Sequence, residues 1–368
     1  MSKRTAVFIA ATGQNVGKTT LCLGMIAALK KRFSSVGFIK PVGQRHVKID
    51  GKYNVDKDAV LFKEHFNLSA SLSDMSPVII PAGFTRSYLE KEVTEHELMK
   101  TIQQAFQVIS TEHAYTVVEG TGHVGVGSII NLNNAKVAAA LGLEMVIIAS
   151  AGLGSAYDEL ALNIAICNQY GVKIRGVILN RVQDDKREMI SHYFPKTLEH
   201  WGIPLIGCVP FSELLSSPTM KDFEGLFNTN LLSGHTHHYR SFQHVRLVAG
   251  SLKAYETETI SSQLVITPAS RDDIVKKTLE RHVKFSSTGI DFGGGMILTG
   301  RQAPSPDLLE CIAKVDIPVL YAPICSYDAM KLITSFIAKI RKEDKVKIEK
   351  AIELVEQHVD FDRLVEPC

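Results

Sequence analysis

The sequence predicts an α/β protein: a P-loop parallel sheet with helices on both faces, followed by a smaller C-terminal α/β domain. Three observations lead there. Short apolar runs alternate with helix-period segments through residue 209, a loop ending in Gly-Lys-Thr joins the first run to the first helix, and a second alternation begins after a polar interval. Continuous apolar strands separated by helices pair in parallel, since a parallel neighbour requires a crossover long enough to carry a helix.

In chain order, Thr5–Ala11 has the pattern of a buried strand, and Lys18–Arg32 places its apolar residues on a helical period. Val36–Ile39 reads as strand, and Asp56–His65 and Leu89–Ile109 read as helices. Thr116–Glu119 and Met145–Ala149 are strand-like. Tyr157–Tyr170 is a helix, Ile174–Leu179 a strand, Asp184–Glu199 a helix, and Pro204–Val209 closes the series. Residues 1–211 are therefore expected to form one domain. From 212 to 246 the pattern loosens into Ser, Thr, His and Pro, which reads as a linker. Leu264–Thr267, Met296–Thr299 and Val319–Tyr321 then read as strands. Arg271–His282, Asp307–Lys314, Tyr327–Arg341 and Lys345–His358 read as helices of a second domain over 247–368. No internal repeat relates the two halves.

At 368 residues the chain is long enough for two cores. With 45% hydrophobic and 22% charged residues it has the composition of a folded protein. Its 41 basic and 39 acidic residues nearly cancel, which gives no reason to expect a nucleic-acid or membrane partner. Six cysteines lack C-x-x-C or zinc-finger spacing and read as reduced thiols. The apolar run after Met1 is cut off by Thr12-Gly13-Gln14-Asn15, too early for a signal peptide, so the chain is expected in the cytoplasm. His235, His237, His238 and His244 lie in the 212–246 interval. With no carboxylate or thiolate among them they read as a solvated loop rather than metal ligands. Trp201 is expected to pack in the first domain, and Cys311 to be a buried structural thiol.

The loop Ala11–Thr20 carries the chemistry. A strand precedes it, a helix follows it, and glycines let backbone N–H groups converge on phosphate oxygens at a helix N-terminus. Gly13, Gln14, Asn15, Val16, Gly17, Lys18, Thr19 and Thr20 form the expected nucleotide cradle. Lys18 would reach the β- and γ-phosphates, and the Thr19 hydroxyl would bind Mg²⁺. The pattern G-x-x-x-x-G-K-[ST] is met except at its first position, which is Thr12. ATP with Mg²⁺ is the ligand this implies.

Phosphoryl chemistry needs further charges at the ends of neighbouring strands. Lys40 follows the second strand, where ligands bind in such sheets, and could neutralise a phosphate or an attacked carboxylate; it could also be a surface lysine. Glu119 ends the third strand beside Gly120, a place suited to Mg²⁺. Asp58 is a weaker candidate, because Asp56 could equally cap a helix. Asn180 could present its amide to adenine or simply end a strand.

Val16-Gly17-Lys18-Thr19, Lys40-Pro41-Val42, Glu119-Gly120 and Asn180 occur in the order and spacing of dethiobiotin synthetase, which the chain resembles over residues 4–210. Phe38–Gln44, Asn131–Ala138 and Ile178–Val182 are similar to a relative of that enzyme, the N-terminal domain of long bacterial phosphate acetyltransferases. Leu264-Val265-Ile266-Thr267-Pro268 through Ile297–Gly300 and Ile317–Leu320 is similar to the DRTGG domain that follows this module, without its literal five-letter string. The resemblance implies Lys18 and Lys40 as catalytic phosphate lysines, Thr19, Asp58 and Glu119 around Mg²⁺, and Asn180 at adenine. It also implies a homo-oligomer. Ala11 and Gln44 depart from the synthetase, which has Gly and a small hydroxyl residue there, so its substrate pocket is not evidently preserved. The acetyltransferase domain has no counterpart, and acetyl transfer is not expected.

Two functions follow. One is a nucleotide-dependent regulatory ATPase whose second domain takes an unidentified small molecule. The other is an ATP-dependent ligase working through an acyl or carbamoyl phosphate, with Arg45, His46 and Lys48 as candidates for holding an acidic co-substrate. A partition-type ATPase would carry a second lysine where this chain has Gly13. A cobyrinate-type amidotransferase would need a nucleophilic cysteine in a tight turn, which neither Cys311 nor Cys325 offers.

Overall fold

The computed structural model describes residues 5–366 apart from 50 and 52. The chain gathers into two compact units. One contains the chain up to Ser212 together with the segment from Ile340 onward, and the other is Glu213–Lys339.

The first unit is built on six parallel strands: β1 (Thr5–Ala11), β2 (Val36–Ile39), β3 (Tyr115–His123), β4 (Met145–Ser150), β5 (Ile174–Val182) and β6 (Leu205–Pro210). They lie in the order β6-β5-β4-β1-β3-β2. Val7 through Ala11 are wholly buried, as a central strand covered on both faces requires. The flanking helices include α1 (Lys18–Lys30), α2 (Lys57–Phe66), α3 (Glu95–Glu112) and α4 (Gly154–Gln169). Phe38 of β2 stacks on Phe62 of α2 with ring centroids 4.0 Å apart. Trp201 stacks on Tyr157 of α4 at 4.6 Å.

The helix expected over Leu89–Ile109 is divided. Phe84–Leu89 forms a short helix, Lys91 takes a positive φ of 62°, and Thr94 restarts the chain with a capping box to Glu97. A periodic apolar pattern does not reveal that break, because the cap satisfies the new N-terminus from polar residues alone.

The domain boundaries differ more. Helix α5 (Lys345–His358), expected in the second domain, lies against α1 of the first unit. It buries Ile348, Ala351, Leu354 and Val355. Gly24 of α1 makes the approach possible: a Cβ there would stand 2.6 Å from Val355 Cγ1 and closer still to Val355 Cβ. Beyond α5, the Asp360 N–H donates to the Ile206 carbonyl at 2.8 Å, and the Arg175 guanidinium donates to the Leu364 and Glu366 carbonyls at 2.8 and 2.6 Å. The first unit is thus closed by the last stretch of chain.

The second unit holds β7 (Leu231–Ser233), β8 (His244–Leu247), β9 (Gln263–Pro268), β10 (Gly295–Thr299) and β11 (Val319–Ala322), in the order β7-β11-β10-β9-β8. Only β7 runs antiparallel. Residues 212–246, expected as a linker, supply β7, most of β8 and the helix Met220–Phe227. Met220, Phe223, Leu231 and Phe242 form one buried cluster with Leu264, Ile266, Ile297 and Leu320. The His-containing stretch is not a bare solvated loop: His238 Nδ1 bonds Glu224 at 2.9 Å, and His237 faces Asp316 at 3.4 Å. Cys311 is half-buried rather than enclosed. Among the described residues no helix is long and apolar enough to cross a membrane.

Candidate functional site

Parallel strands end on one edge of a sheet, and this edge collects the site. The chain leaves β1, turns through Thr12–Val16 and enters α1 at Gly17. Gly17 has φ 106°, a left-handed conformation that disfavours a side chain, and a Cβ there would also strike the Asn180 amide. Asn15 takes a positive φ of 58°, which asparagine tolerates better than most residues. The Thr12 N–H donates to the Ile148 carbonyl at 2.9 Å, and its hydroxyl donates to Glu159 of α4 at 3.0 Å. Asn163, one turn on, donates to the Thr12 carbonyl at 3.2 Å and accepts from the Val124 N–H at 2.9 Å. One buried amide thereby ties the phosphate loop to the loop after β3.

Gly13 and Asn15 are half-buried and Gln14 is exposed, so the loop faces outward, while Val16 packs inward. Lys18 is buried and its Nζ donates to the Gly122 carbonyl at 2.6 Å. The Thr19 hydroxyl donates to Glu119 Oε1 at 3.1 Å. Thr20 follows, half-buried, in the first turn of α1.

The register of β2 on β3 pairs Ile39 with Val118, which brings Lys40 beside Glu119. Lys40 is no surface lysine. It is 7% exposed and its Nζ lies among three carboxylates: hydrogen-bonded to Asp58, 3.2 Å from Asp56 Oδ1 and 3.6 Å from Glu119 Oε1. Asp56 does cap α2, accepting from the Asp58 N–H at 2.9 Å, and it also faces Lys40, a contact the sequence did not suggest. Asp56 and Glu119 are each 1% exposed, and Asp56 Oδ2 and Glu119 Oε2 are buried without a hydrogen-bond partner.

Burial raises the Glu119 carboxyl to about 7; Lys40 and Lys18 oppose that rise, while Asp58 and Asp56 add to it. Burial likewise raises Asp56. For Lys40, burial alone would favour the neutral amine, but Asp58, Glu119 and Asp56 outweigh it and hold the group firmly as an ammonium. Burial first, then the nearby Glu119 carboxylate, raise the thiol of Cys22, one turn beyond Thr19, well above the ordinary range.

Asn180 ends up at the back of the loop. It is buried, and its Nδ2 donates to the Val16 carbonyl at 2.8 Å. Arg45 and Lys48 are exposed at or on the hairpin His46–Ile49/Tyr53–Asp56, and His46 is half-buried beside them. Lys18, Thr19, Lys40, Asp58 and Glu119 therefore converge; Asn180 lies against the phosphate loop at Val16, and His46 pairs with Asp56 across the hairpin, where the Arg45 carbonyl accepts from the Lys57 N–H at 2.8 Å. The pinning asparagines were not foreseen. Asn134, inside the Asn131–Ala138 stretch, accepts from the Thr121 N–H at 3.1 Å and donates to the Thr121 and His123 carbonyls at 2.8 and 2.7 Å. Its sequence signal is its place in that stretch, which carries the family resemblance but not the contact.

Residues 5–219 match a family model described as an AAA domain, AAA_26, which covers more than half of the chain. The chain belongs to this family. Residues 226–336 match the DRTGG domain. The chain is 26% identical over 382 residues to the phosphate acetyltransferase of Pseudomonas aeruginosa, covering 98% of this chain and 52% of that protein. It thus spans about half the length of those curated relatives. It is 29% identical over 217 residues to the ATP-dependent dethiobiotin synthetase of Brachyspira hyodysenteriae, covering 55% of this chain and 91% of the synthetase. Among solved structures, the MinD cell division protein of Aquifex aeolicus aligns over 57% of this chain and 84% of its own, with a TM-score of 0.37 and 16% identity. The architecture is thus a dethiobiotin synthetase-like P-loop unit combined with a DRTGG domain.

Proposed function

We propose that the first unit binds ATP with Mg²⁺ and works as a slow ATPase within a regulatory, ligand-sensing protein. The observation that carries this reading is the Thr19–Glu119 hydrogen bond at the foot of the phosphate loop, with Glu119 Oε2 buried and unpartnered beside it. A wholly buried carboxylate oxygen without a donor is costly unless a cation is part of its design. Among the described residues no group of three His, Cys, Asp or Glu side chains is placed to hold a metal alone. Mg²⁺ keeps waters and binds through one or two carboxylates together with phosphate oxygens. Thr19, Glu119 and Asp58 would hold it, and bound there it would supply positive charge against the β- and γ-phosphates.

The chain's own groups do the rest. Gly13–Thr20 would present backbone N–H groups at the α1 N-terminus to phosphate oxygens. Lys18 would exchange the Gly122 carbonyl for phosphate, and Lys40 would place a second cation on the same sheet edge. Asn180 would hold the loop in shape through Val16, so its contribution to adenine would be indirect. Alignment of nearly the whole chain with half of each phosphate acetyltransferase supports a regulatory reading, in which the second unit takes a small molecule and the chain self-associates. Similarity to dethiobiotin synthetase over 91% of its length supports a second reading, an ATP-dependent ligase.

Steady-state ATP turnover tests both. Slow turnover, unchanged by 7,8-diaminononanoate with bicarbonate and lost in Lys18→Ala, is the expected result. Strong stimulation by that pair would establish the ligase, and absence of any ATP binding would sink both readings.

A further inference from the structure

We propose that Lys40 is the resident cation of the metal site, and that Mg²⁺ enters by displacing the Lys40 ammonium, freeing it for the phosphate edge. The proposal rests on the Mg²⁺ reading above and adds an order of events to it.

The geometry is that of a filled cation site. Lys40 Nζ is hydrogen-bonded to Asp58 and stands 3.2 Å from Asp56 Oδ1 and 3.6 Å from Glu119 Oε1. The Glu119 oxygen it faces is the one that accepts from the Thr19 hydroxyl. Every candidate magnesium ligand is thus within reach of this one ammonium, directly or through Glu119. A divalent ion bound by the same carboxylates would stand a few ångströms from Nζ. In a site of effective dielectric about 20, such a like charge at about 4 Å is worth several kcal/mol, far more than a tenfold penalty. Lys40 and Mg²⁺ cannot share the carboxylates as they stand.

An ammonium also satisfies the cluster incompletely. Lysine has three donors, and Asp56 Oδ2 and Glu119 Oε2 stay buried with no partner. With a Lys18 ammonium close by, two cations face three carboxyl groups. Exchanging Lys40 for a divalent ion, with Lys40 moving toward ligand phosphate, offers those unpartnered oxygens a stronger cation. The metal and the anionic nucleotide would then enter together: metal alone must expel a lysine with nowhere to go, whereas nucleotide gives it a destination.

The test is binding of Mn²⁺, followed by its electron paramagnetic resonance signal, to the full chain with and without a non-hydrolysable ATP analogue. Wild type is expected to bind Mn²⁺ weakly alone and at least about tenfold more tightly with nucleotide. Lys40→Met is expected to bind Mn²⁺ alone at least about tenfold more tightly than wild type. Equal Mn²⁺ affinity for wild type and Lys40→Met, with nucleotide still bound by wild type, overturns the exchange and leaves the Mg-ATP reading standing. Failure of wild type to bind nucleotide with metal present overturns that reading instead. Should Lys40→Met not fold, amine labelling of wild type with a small acylating reagent, read by mass spectrometry, decides. With the non-hydrolysable ATP analogue present, Lys40 modification should differ between Mg²⁺ and Na⁺ at equal ionic strength, and unchanged labelling contradicts displacement.

Discussion

Gly24→Ala offers a sign test of how the first unit is closed. On an isolated helix the substitution stabilises by about 1 kcal/mol, because glycine loses the most backbone freedom on folding. Here the new methyl would stand 2.6 Å from Val355 Cγ1 and 2.8 Å from Cγ2, where carbon atoms rest at about 3.5–4.0 Å. Val355 is β-branched and wholly buried, and its Cβ is closer still, so no rotation relieves the overlap. Helices α1 and α5 must separate by about an ångström along the seam that buries Ile348, Ala351 and Leu354. Overpacking of this kind costs about 1–3 kcal/mol and exceeds the propensity gain. We expect a net loss of about 1–2 kcal/mol, smaller when Val355→Ala removes the two γ-methyls in the same molecule. Trp201, the single tryptophan, stacks on Tyr157 within the first unit, so its fluorescence in urea reports on that unit. An unchanged or raised midpoint would refute the packing of α5 on α1.

Other perturbations follow from the same geometry. Asn180→Ala leaves the Val16 carbonyl without its donor and should weaken ATP binding about tenfold, roughly 1.4 kcal/mol, by calorimetry; full affinity would show that the loop holds its own shape. Among the described cysteines, alkylation under native conditions should label the exposed Cys325 first and spare Cys22 and Cys167, since both are buried and burial raises the Cys167 thiol to about 12; early labelling of either contradicts their placement. His282 is held below its ordinary value by burial, then by Arg240 and His237, against Asp291 and the Asp316 backbone. Below pH of about 6.5 the unfolded chain takes up that proton first, so stability of the second unit falls as pH drops through that value. Hydrogen exchange of the β9 amides at pH 7.5 and 5.5 should show this, with a shallower fall in His282→Gln; an identical fall would remove His282 as a cause.

Much of the P-loop unit was legible because its signals are local. A buried strand, a Gly-Lys-Thr turn and an apolar helix adjoin between Thr5 and Lys30, and parallel pairing then brings any residue at a strand end, such as Lys40 or Glu119, to the same edge. What the residues could not express was which surface a helix covers. The Lys345–His358 helix has an apolar face that would suit either sheet, and only the missing side chain at Gly24 marks its partner. Residues 212–246 read as a linker because their elements are short and their caps polar, though Met220, Phe223 and Leu231 belong to a core completed by strands far along the chain. Asp56 was legible as a cap but not as a partner of Lys40, since that contact depends on the fold of the hairpin between them. Asn134 and Asn163 escaped notice for a similar reason: a buried amide is recognised by what it bridges.

The measurement closest to the central claim is calorimetric titration of the full chain with ATP, with Mg²⁺ and then with EDTA, for wild type and Lys18→Ala. The account predicts binding that requires Mg²⁺ for full affinity and falls at least about a hundredfold, roughly 2.7 kcal/mol, when the Lys18 ammonium is removed. Equal binding by both proteins, or none by wild type, would contradict it.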